Sequence, residues 1–545
     1  MEKDEGPYGT AYGSKMEEDV HRGEVVEDLE LHNTKTHRGL KSRHSQMLAL
    51  GGTIGTGLFV GSGAALARGG PAFILIGYIV ITILILGVVT AITEVATYLP
   101  VSGGTMGYFG NRYASSSLGF AMGWLYWYSL GILVPYEITA AGLVIDYWNS
   151  PINIAVWITI FIIVIVALNF LPVKYYGESE FWFASLKVFL LIGLLLLSFI
   201  LFWGGGPNHQ RLGFHYWKDP GATNSWLVPG GTGTFVAFLS TFVLSSFPFA
   251  FAPELLVVTA GEMQAPRRNL PKASKRYFYR LVIFYVGSVL AIGVICPSND
   301  PALTSGGAGA KASPFVVGIK NAGIVGLDSV VNAAIITSAW SSGNSFLYIS
   351  SRSIYSLAVA GNAPAIFKTC NRWGVPYYAV GFSSLFTALA YLNCANSGST
   401  VFTWFVNLTN TSSYISWMCC CIVYLRFNKA CKRQGLTDLP YHSFLQPYLA
   451  YVSLVGFAIL LLINGFDVFF PGRFSASAFL TAYVGIPAFL VIYFGHRIYH
   501  YKDPWLRHPE TVDLQSNLEE ILALDDHVVD RSGMPWWKRL NFIWE

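Results

Sequence analysis

Long apolar runs separated by short polar connections recur twelve times along the chain, each near the ~20 residues that carry a helix across a bilayer. Their limits fall near 46–68, 73–98, 120–147, 152–171, 181–203, 233–259, 278–297, 327–359, 378–396, 401–425, 448–470 and 476–496. Residues 1–43 lack the pattern and read as a disordered cytoplasmic tail, 44–500 as one twelve-helix membrane domain, and 501–545 as a second cytoplasmic tail. In that tail, Val512 to Leu524 spaces Leu514, Leu518, Ile521 and Leu522 as one helical face, which predicts docking on the cytoplasmic side.

Composition sharpens this picture. Only 12% of the 545 residues are charged, against the roughly 25% of a soluble domain, which excludes a water-soluble enzyme. Of the 35 basic and 31 acidic residues, 17 lie in 1–44 and 15 in 497–545, so the middle is built for lipid. A net charge of +4 gives no ground for nucleic-acid binding. Basic residues gather in alternate connections (Arg267, Arg268, Lys272, Lys275 and Arg276 in one, Lys429, Lys432 and Arg433 in another), which predicts that both termini are cytoplasmic. Seven cysteines without paired spacing support neither a zinc site nor a disulfide framework. No G-x-x-x-x-G-K-[ST] loop is present, so no cofactor is expected and a proton or other ion gradient is the energy source.

Two runs break the apolar pattern. The first reads Gly51-Gly52-Thr53-Ile54-Gly55-Thr56-Gly57, and the sixth reads Phe247-Pro248-Phe249-Ala250-Phe251-Ala252-Pro253-Glu254. Interruptions at corresponding places of two five-span halves, 1–5 and 6–10, point to an inverted repeat with a central site. Backbone opened within a membrane is tolerated where it lines a cavity. There the start of a half-helix offers N–H groups to a carboxylate, and unwound carbonyls accept from an ammonium. Those are the two ends of an amino acid. Close helix packing at Gly55, Gly57, Gly61 and Gly63, and a simple proline kink in the sixth run, are the alternatives.

These residues carry a resemblance. Gly-Gly-Thr-Ile-Gly-Thr-Gly-Leu-Phe-Val-Gly-Ser-Gly (51–63), E-V-A-T-Y-L-P-V-S-G (94–103), P-Y-E-I-T-A-A-G-L-V-I (135–145), F-W-F-A-S-L-K (181–187) and T-A-G-E-M-Q-A-P-R-R-N-L-P-K-A (259–273) occur in order. The chain thereby resembles the fungal amino acid permeases, the yeast amino acid transporter family of the amino acid, polyamine and organocation superfamily. The resemblance implies an all-α membrane protein with twelve transmembrane helices in a 5+5 inverted repeat, helices 1 and 6 being broken as in the LeuT-like fold. It implies import of amino acids with protons across the plasma membrane. It also implies that Thr56 and Gly57 offer N–H groups to the substrate carboxylate within the opened segment Thr53, Ile54, Gly55, and that the Thr53 and Phe251 carbonyls face the amino group. The sequence departs from the family pattern in the sixth run, where Pro253 removes a donor and Pro248 falls at the position of the aromatic lid, leaving Phe247, Phe249 and Phe251 as substitutes.

Ionisable residues inside the runs are costly and mark pathways. Lys187 is read as a group that binds and releases the coupled proton, or else as a tether for the carbonyls of the first break. Glu137, after Pro135, attracts the substrate amine or orients the site, with a helix-to-helix hydrogen bond as the other reading. Glu254, after the second break, gates or supports. The polar run Asn407 to Ser413, and Thr411 in particular, lines the vestibule or bonds between helices. Lys15, Lys35, Lys41, Lys502 and Lys538 are candidates for modification by ubiquitin ligase machinery. A proton-coupled importer of neutral amino acids or proline is the first reading. A carrier of amines such as carnitine or polyamines, and a non-transporting nutrient receptor, are the alternatives.

Overall fold

Every regular element among the described residues is helical. The computed structural model describes residues 54–101, 105–251, 253–254, 257, 266–304, 313–436, 438–516 and 518. The tail 1–43, residues 51–53 of the first match, 102–103 of the 94–103 match, 259–265 of the 259–273 match, and Lys15, Lys35, Lys41 and Lys538 therefore lie outside the described residues.

Helix α1 (Ser62–Tyr98) follows a widened turn at Gly57–Gly61. Within it Gly70 leaves helical geometry (φ 80°, ψ 173°) and Pro71 follows, so α1 is two arms, the first two runs of the pattern, joined at a hinge. Then come α2 (Ser116–Ile145), α3 (Ile154–Phe170), α4 (Val173–Phe202), α5 (Gly230–Ser246) and α6 (Pro266–Ile295). The second half contains α7 (Leu327–Val359), α8 (Tyr377–Ser384, extended by a tighter helix Leu385–Cys394), α9 (Gly398–Arg433) and α10 (Tyr448–Ile463). The last run divides into α11 (Ala476–Tyr483) and α12 (Gly485–Tyr499), bent by 45°. Side chains start several of these helices: Ser115 accepts from the Leu118 N–H, Asn153 from Ala155 and Ser397 from Thr400.

Five helical stretches among the described residues are long and apolar enough to cross a membrane, and the bent pair α11 and α12 makes a sixth. The other runs differ for identifiable reasons. Helices α3 and α10 are apolar but only 17 and 16 residues long. Helices α7 and α9 reach 33 and 36 residues but are diluted by serines and asparagines that turn inward, such as Ser338, Ser341, Ser342 and Asn410.

Helix α2 is the hub, buried along nearly its whole length and packed most heavily on α7 and α9, while α1 packs on α5. The rim is the reverse: Phe189 and Trp182 on α4 are 71% and 70% exposed. An apolar face of this kind is satisfied by hydrocarbon rather than by water. Close approach inside the bundle relies on small residues, since a Cβ at Gly77 of α1 would lie 2.7 Å from Ser245 Oγ of α5.

Candidate functional site

The first break meets the hub helix α2. Ile54 and Gly55 are non-helical and the helix begins at Thr56, so its first N–H groups have no partner within the helix. One of them is taken by a side chain of α2: the Thr56 N–H donates to Glu137 Oε2 at 3.4 Å, and the Thr56 hydroxyl donates to the same oxygen at 2.7 Å. The Tyr136 hydroxyl lies 3.2 Å from the Thr56 hydroxyl. Gly55 lets this happen, because a Cβ there would overlap Glu137 Oε1. A carboxyl group of the protein thus sits where the peptide dipoles of a helix start favour negative charge.

Behind this contact lies a buried charged group. Lys187 of α4 donates to Ser342 Oγ of α7 at 2.9 Å. Ser342 lies within 3.5 Å of where a Gly55 Cβ would be, and Ser338, one turn earlier, donates to the Ile54 carbonyl at 3.4 Å. Lys187 interacts electrostatically with Glu180 and Glu137, all three being buried. Glu180 accepts from Ser341 Oγ at 2.9 and 3.0 Å. One buried lysine therefore shares this region with two buried acidic side chains, next to the non-helical backbone at Ile54 and Gly55.

The second break follows α5. Phe247–Phe249 forms a tight turn, Ala250 is extended, and Phe251 takes a left-handed conformation (φ 53°) that a bulky residue rarely adopts. Each phenylalanine has its own place. The Phe247 ring would be 3.0 Å from a Cβ at Gly57 and lies 4.6 Å, centre to centre, from Tyr136, which in turn lies 4.9 Å from Phe402. Phe249 is wedged between Tyr78 and Tyr285. Phe251 sits edge-on to Tyr126, beside a small cavity of about 20 Å³ lined also by Glu254, Thr105 and Met106. Glu254 accepts from Ser416 Oγ at 2.6 Å. Beyond Phe247, toward Arg68, lies a larger cavity of about 80 Å³. Phe247, Tyr136 and Phe402 form an aromatic layer between that cavity and Thr56.

The structure thus brings together Ile54, Gly55, Thr56, Gly57, Glu137 and Phe247, with Lys187 one shell behind. Phe251 and Glu254 lie toward the opposite end of the bundle, and Phe249 is a packing residue. Thr411 faces away from both breaks: its hydroxyl donates to the Ala482 carbonyl at 2.6 Å and accepts from Asn464 at 2.8 Å. Of the polar run in α9, Asn407 lines the larger cavity, and Asn410 and Tyr414 reach the Val243 carbonyl. Thr53 lies outside the described residues.

Glu180 is the member that reading the runs missed. Its signal is the seven-residue interval to Lys187, two helical turns that put both on one face, hidden because the fifth run was begun at residue 181. Tyr136 and Ser342 gave no separate signal. Among the described residues no three His, Cys, Asp or Glu side chains gather as a metal site.

Comparison with known proteins bears on this geometry. Residues 44–505 match the amino acid permease family. The chain is 50% identical to the proline-specific permease of Emericella nidulans over 95% of this chain and 94% of that protein. It is 46% identical to the proline-specific permease of Saccharomyces cerevisiae over 93% and 82% of the two chains. A manganese transporter from Eremococcus coleocola shares the fold at a TM-score of 0.52 and 13% identity, covering 84% of this chain and 93% of that one.

Proposed function

The chain belongs to the amino acid permease family, and on that premise we propose that it imports proline by proton symport across the plasma membrane. The observation that carries the reading is the contact between the Thr56 helix start and Glu137. A bound zwitterion places its carboxylate at the N–H groups of Thr56 and Gly57, displacing Glu137 Oε2, and the freed Glu137 faces the ring ammonium. Proline carries one carboxylate and one cationic nitrogen, which matches a half-helix start and one carboxylate. Its ring suits a pocket capped by Phe247 and Tyr136. The names of the relatives with 46–50% identity support proline as the substrate.

The rest of the reading follows the same architecture. Twelve spans, counting α1 as two and the pair α11 and α12 as one, form two five-span halves related as an inverted repeat, plus a final hairpin. Both termini are cytoplasmic, which puts Arg68 at the outer end and Tyr98 at the inner end. The substrate moves without chemical change and no catalytic residues are assigned. Ubiquitin ligase machinery acts on lysines of the tails, and lipid surrounds α4.

Coupling is assigned to Lys187, whose ammonium answers to Glu180 and Glu137 together. When Glu137 swings from Thr56 to the substrate, the charge balance around Lys187 changes and a proton can leave or arrive. The test is radiolabelled proline in energised proteoliposomes. Wild type accumulates proline against its gradient when the outside is acidic, whereas Lys187→Met exchanges proline across the membrane but does not accumulate it. A Lys187→Met protein that concentrates proline as wild type does removes Lys187 from coupling. Failure of proline to enter at all, where other amino acids do, removes the substrate assignment.

A further inference from the structure

The cavity beyond the aromatic layer holds two opposite charges that the mechanism above leaves unused. Its volume of about 80 Å³ is several times the ~10–15 Å³ that one water needs, and Phe247 and Phe402 close it toward Thr56. Arg68, on its wall, donates to Ser240 Oγ at 2.9 Å and lies 4.4 Å from the centre of the Trp226 ring. Asp467, on the turn that follows α10, lines the same cavity. Among the described residues no direct ion pair joins the two.

These charges are fixed in place. Trp226 belongs to a loop clamped on the α1 hinge: Asn224 donates to the carbonyls of Ala67 and Gly69, and Ala72 to that of Ala222. Ser240 engages one N–H of a guanidinium that has five, and Trp226 covers part of its surface, which leaves donors of the fork for a planar acceptor. Arg473 lies over the same Trp226 ring at 5.6 Å. With Asp467 counted, the entrance carries a net positive charge.

We propose that this vestibule is a first binding station for a zwitterionic amino acid, with Arg68 taking the carboxylate and Asp467 the ammonium. The aromatic layer explains why a station is needed, since the substrate must wait there until Phe247 moves aside. The excess of positive charge sets a preference at this point, admitting zwitterions and repelling amino acids with a cationic side chain. The inference rests on the transport reading above and adds a second site to it.

The experiment measures KM and limiting rate for radiolabelled proline in cells expressing wild type, Arg68→Gln, Arg68→Lys and Asp467→Asn, with surface protein quantified by a fluorescent fusion. Loss of either charge raises KM by about fivefold or more, a larger change than any fall in limiting rate, and Arg68→Lys recovers part of it. Arg68→Gln also makes lysine and arginine stronger competitors relative to wild type. An unchanged KM in both neutral variants at normal surface level overturns the proposal, as does a fall in limiting rate alone, which describes a gate rather than a station. If Arg68 variants do not reach the surface, Ser240→Ala, which only releases the guanidinium, decides by whether KM rises or stays. Should wild type prefer another amino acid to proline, the substrate assignment fails and the same KM ratios, read on that amino acid, still judge the station.

Discussion

At Gly55 the chain passes so close to Glu137 that a methyl group in place of the hydrogen would land on the carboxylate. That proximity lets one side chain reach the start of a helix and accept the Thr56 N–H, so the contact depends on the absence of a Cβ. Gly55→Ala must push Glu137 away from Thr56 or shift the opened backbone, a cost of about 1–3 kcal/mol in a packed interior. Proline uptake should fall by about tenfold or more. Gly193, on α4, has nothing within 4 Å of where its Cβ would be, so Gly193→Ala should leave uptake and thermal stability as in wild type. Normal uptake by Gly55→Ala at equal surface level would show that Glu137 and Thr56 need not meet.

Helices meet through the same kind of contact, repeated at intervals. Gly77 of α1 faces Ser245 of α5, and a Cβ at 2.7 Å from the serine hydroxyl is too near to be accommodated in place. Ser245 spends that hydroxyl on the Thr241 carbonyl of its own helix, so it can be removed at small cost. Gly77→Ala should therefore lower the melting temperature of the purified protein, and adding Ser245→Ala should restore most of it, a coupling of about 0.5–3 kcal/mol for residues in contact. Simple additivity of the two changes would place the strain elsewhere. What could be read in advance at this scale follows from the same physics. The irregular backbone at Ile54–Gly55 and at Ala250–Phe251 was legible because glycine and proline have few reasons to sit inside an apolar run, and Gly55 and Phe247 lie where those runs are interrupted. Glu137 was legible as an ionisable residue within an apolar run. Which way a polar side chain points was not: Thr411 and Asn410 are neighbours in α9, yet one bonds the last helices and the other reaches α5, and periodicity alone does not assign partners. The division of labour among Phe247, Phe249 and Phe251 was hidden too, since the tight turn and the left-handed residue send three like rings to three different places.

Across the whole molecule, the last described segment ties together the end of α1, the turn before α2 and the end of α9. Arg507 donates through its backbone N–H to the Ala114 carbonyl at 2.8 Å and through its side chain to that of Asn111, while its own carbonyl accepts from Arg426 of α9. Gln434, at the end of α9, donates to the carbonyls of Pro509 and Val512, and Tyr98, at the end of α1, to that of Leu514. Arg112 is the centre of the clasp, donating to the Asp513 and Ser516 carbonyls at 2.8 Å each and pairing with the Asp513 carboxylate at 3.2 Å. Val512 and Leu514 are buried beneath, but residues 512–516 are not helical, so the helical face expected from 512 to 524 does not begin there, and Ile521 and Leu522 lie outside the described residues. Partial burial raises the Asp513 carboxyl, but hydrogen bonds from Ser516 and the Arg112 charge outweigh it and hold the group below its ordinary value. Asp503 is likewise held down, by the Ser116 hydroxyl. A carboxyl lowered in the docked state contributes its stabilisation above the undocked value of about 4 and loses it as pH falls through the docked value. Hydrogen exchange of residues 503–516 should therefore be slow and flat from about pH 5 to 8, after correction for intrinsic rates, and should accelerate only below about pH 4. Arg112→Ala removes two hydrogen bonds to the segment, each worth about 1.5–3 kcal/mol where one partner is charged, together with the ion pair to Asp513, and should release the segment at pH 7. Exchange in that variant as slow as in wild type would mean that the buried Val512 and Leu514 alone hold the segment, and that the polar clasp follows the docking rather than causing it.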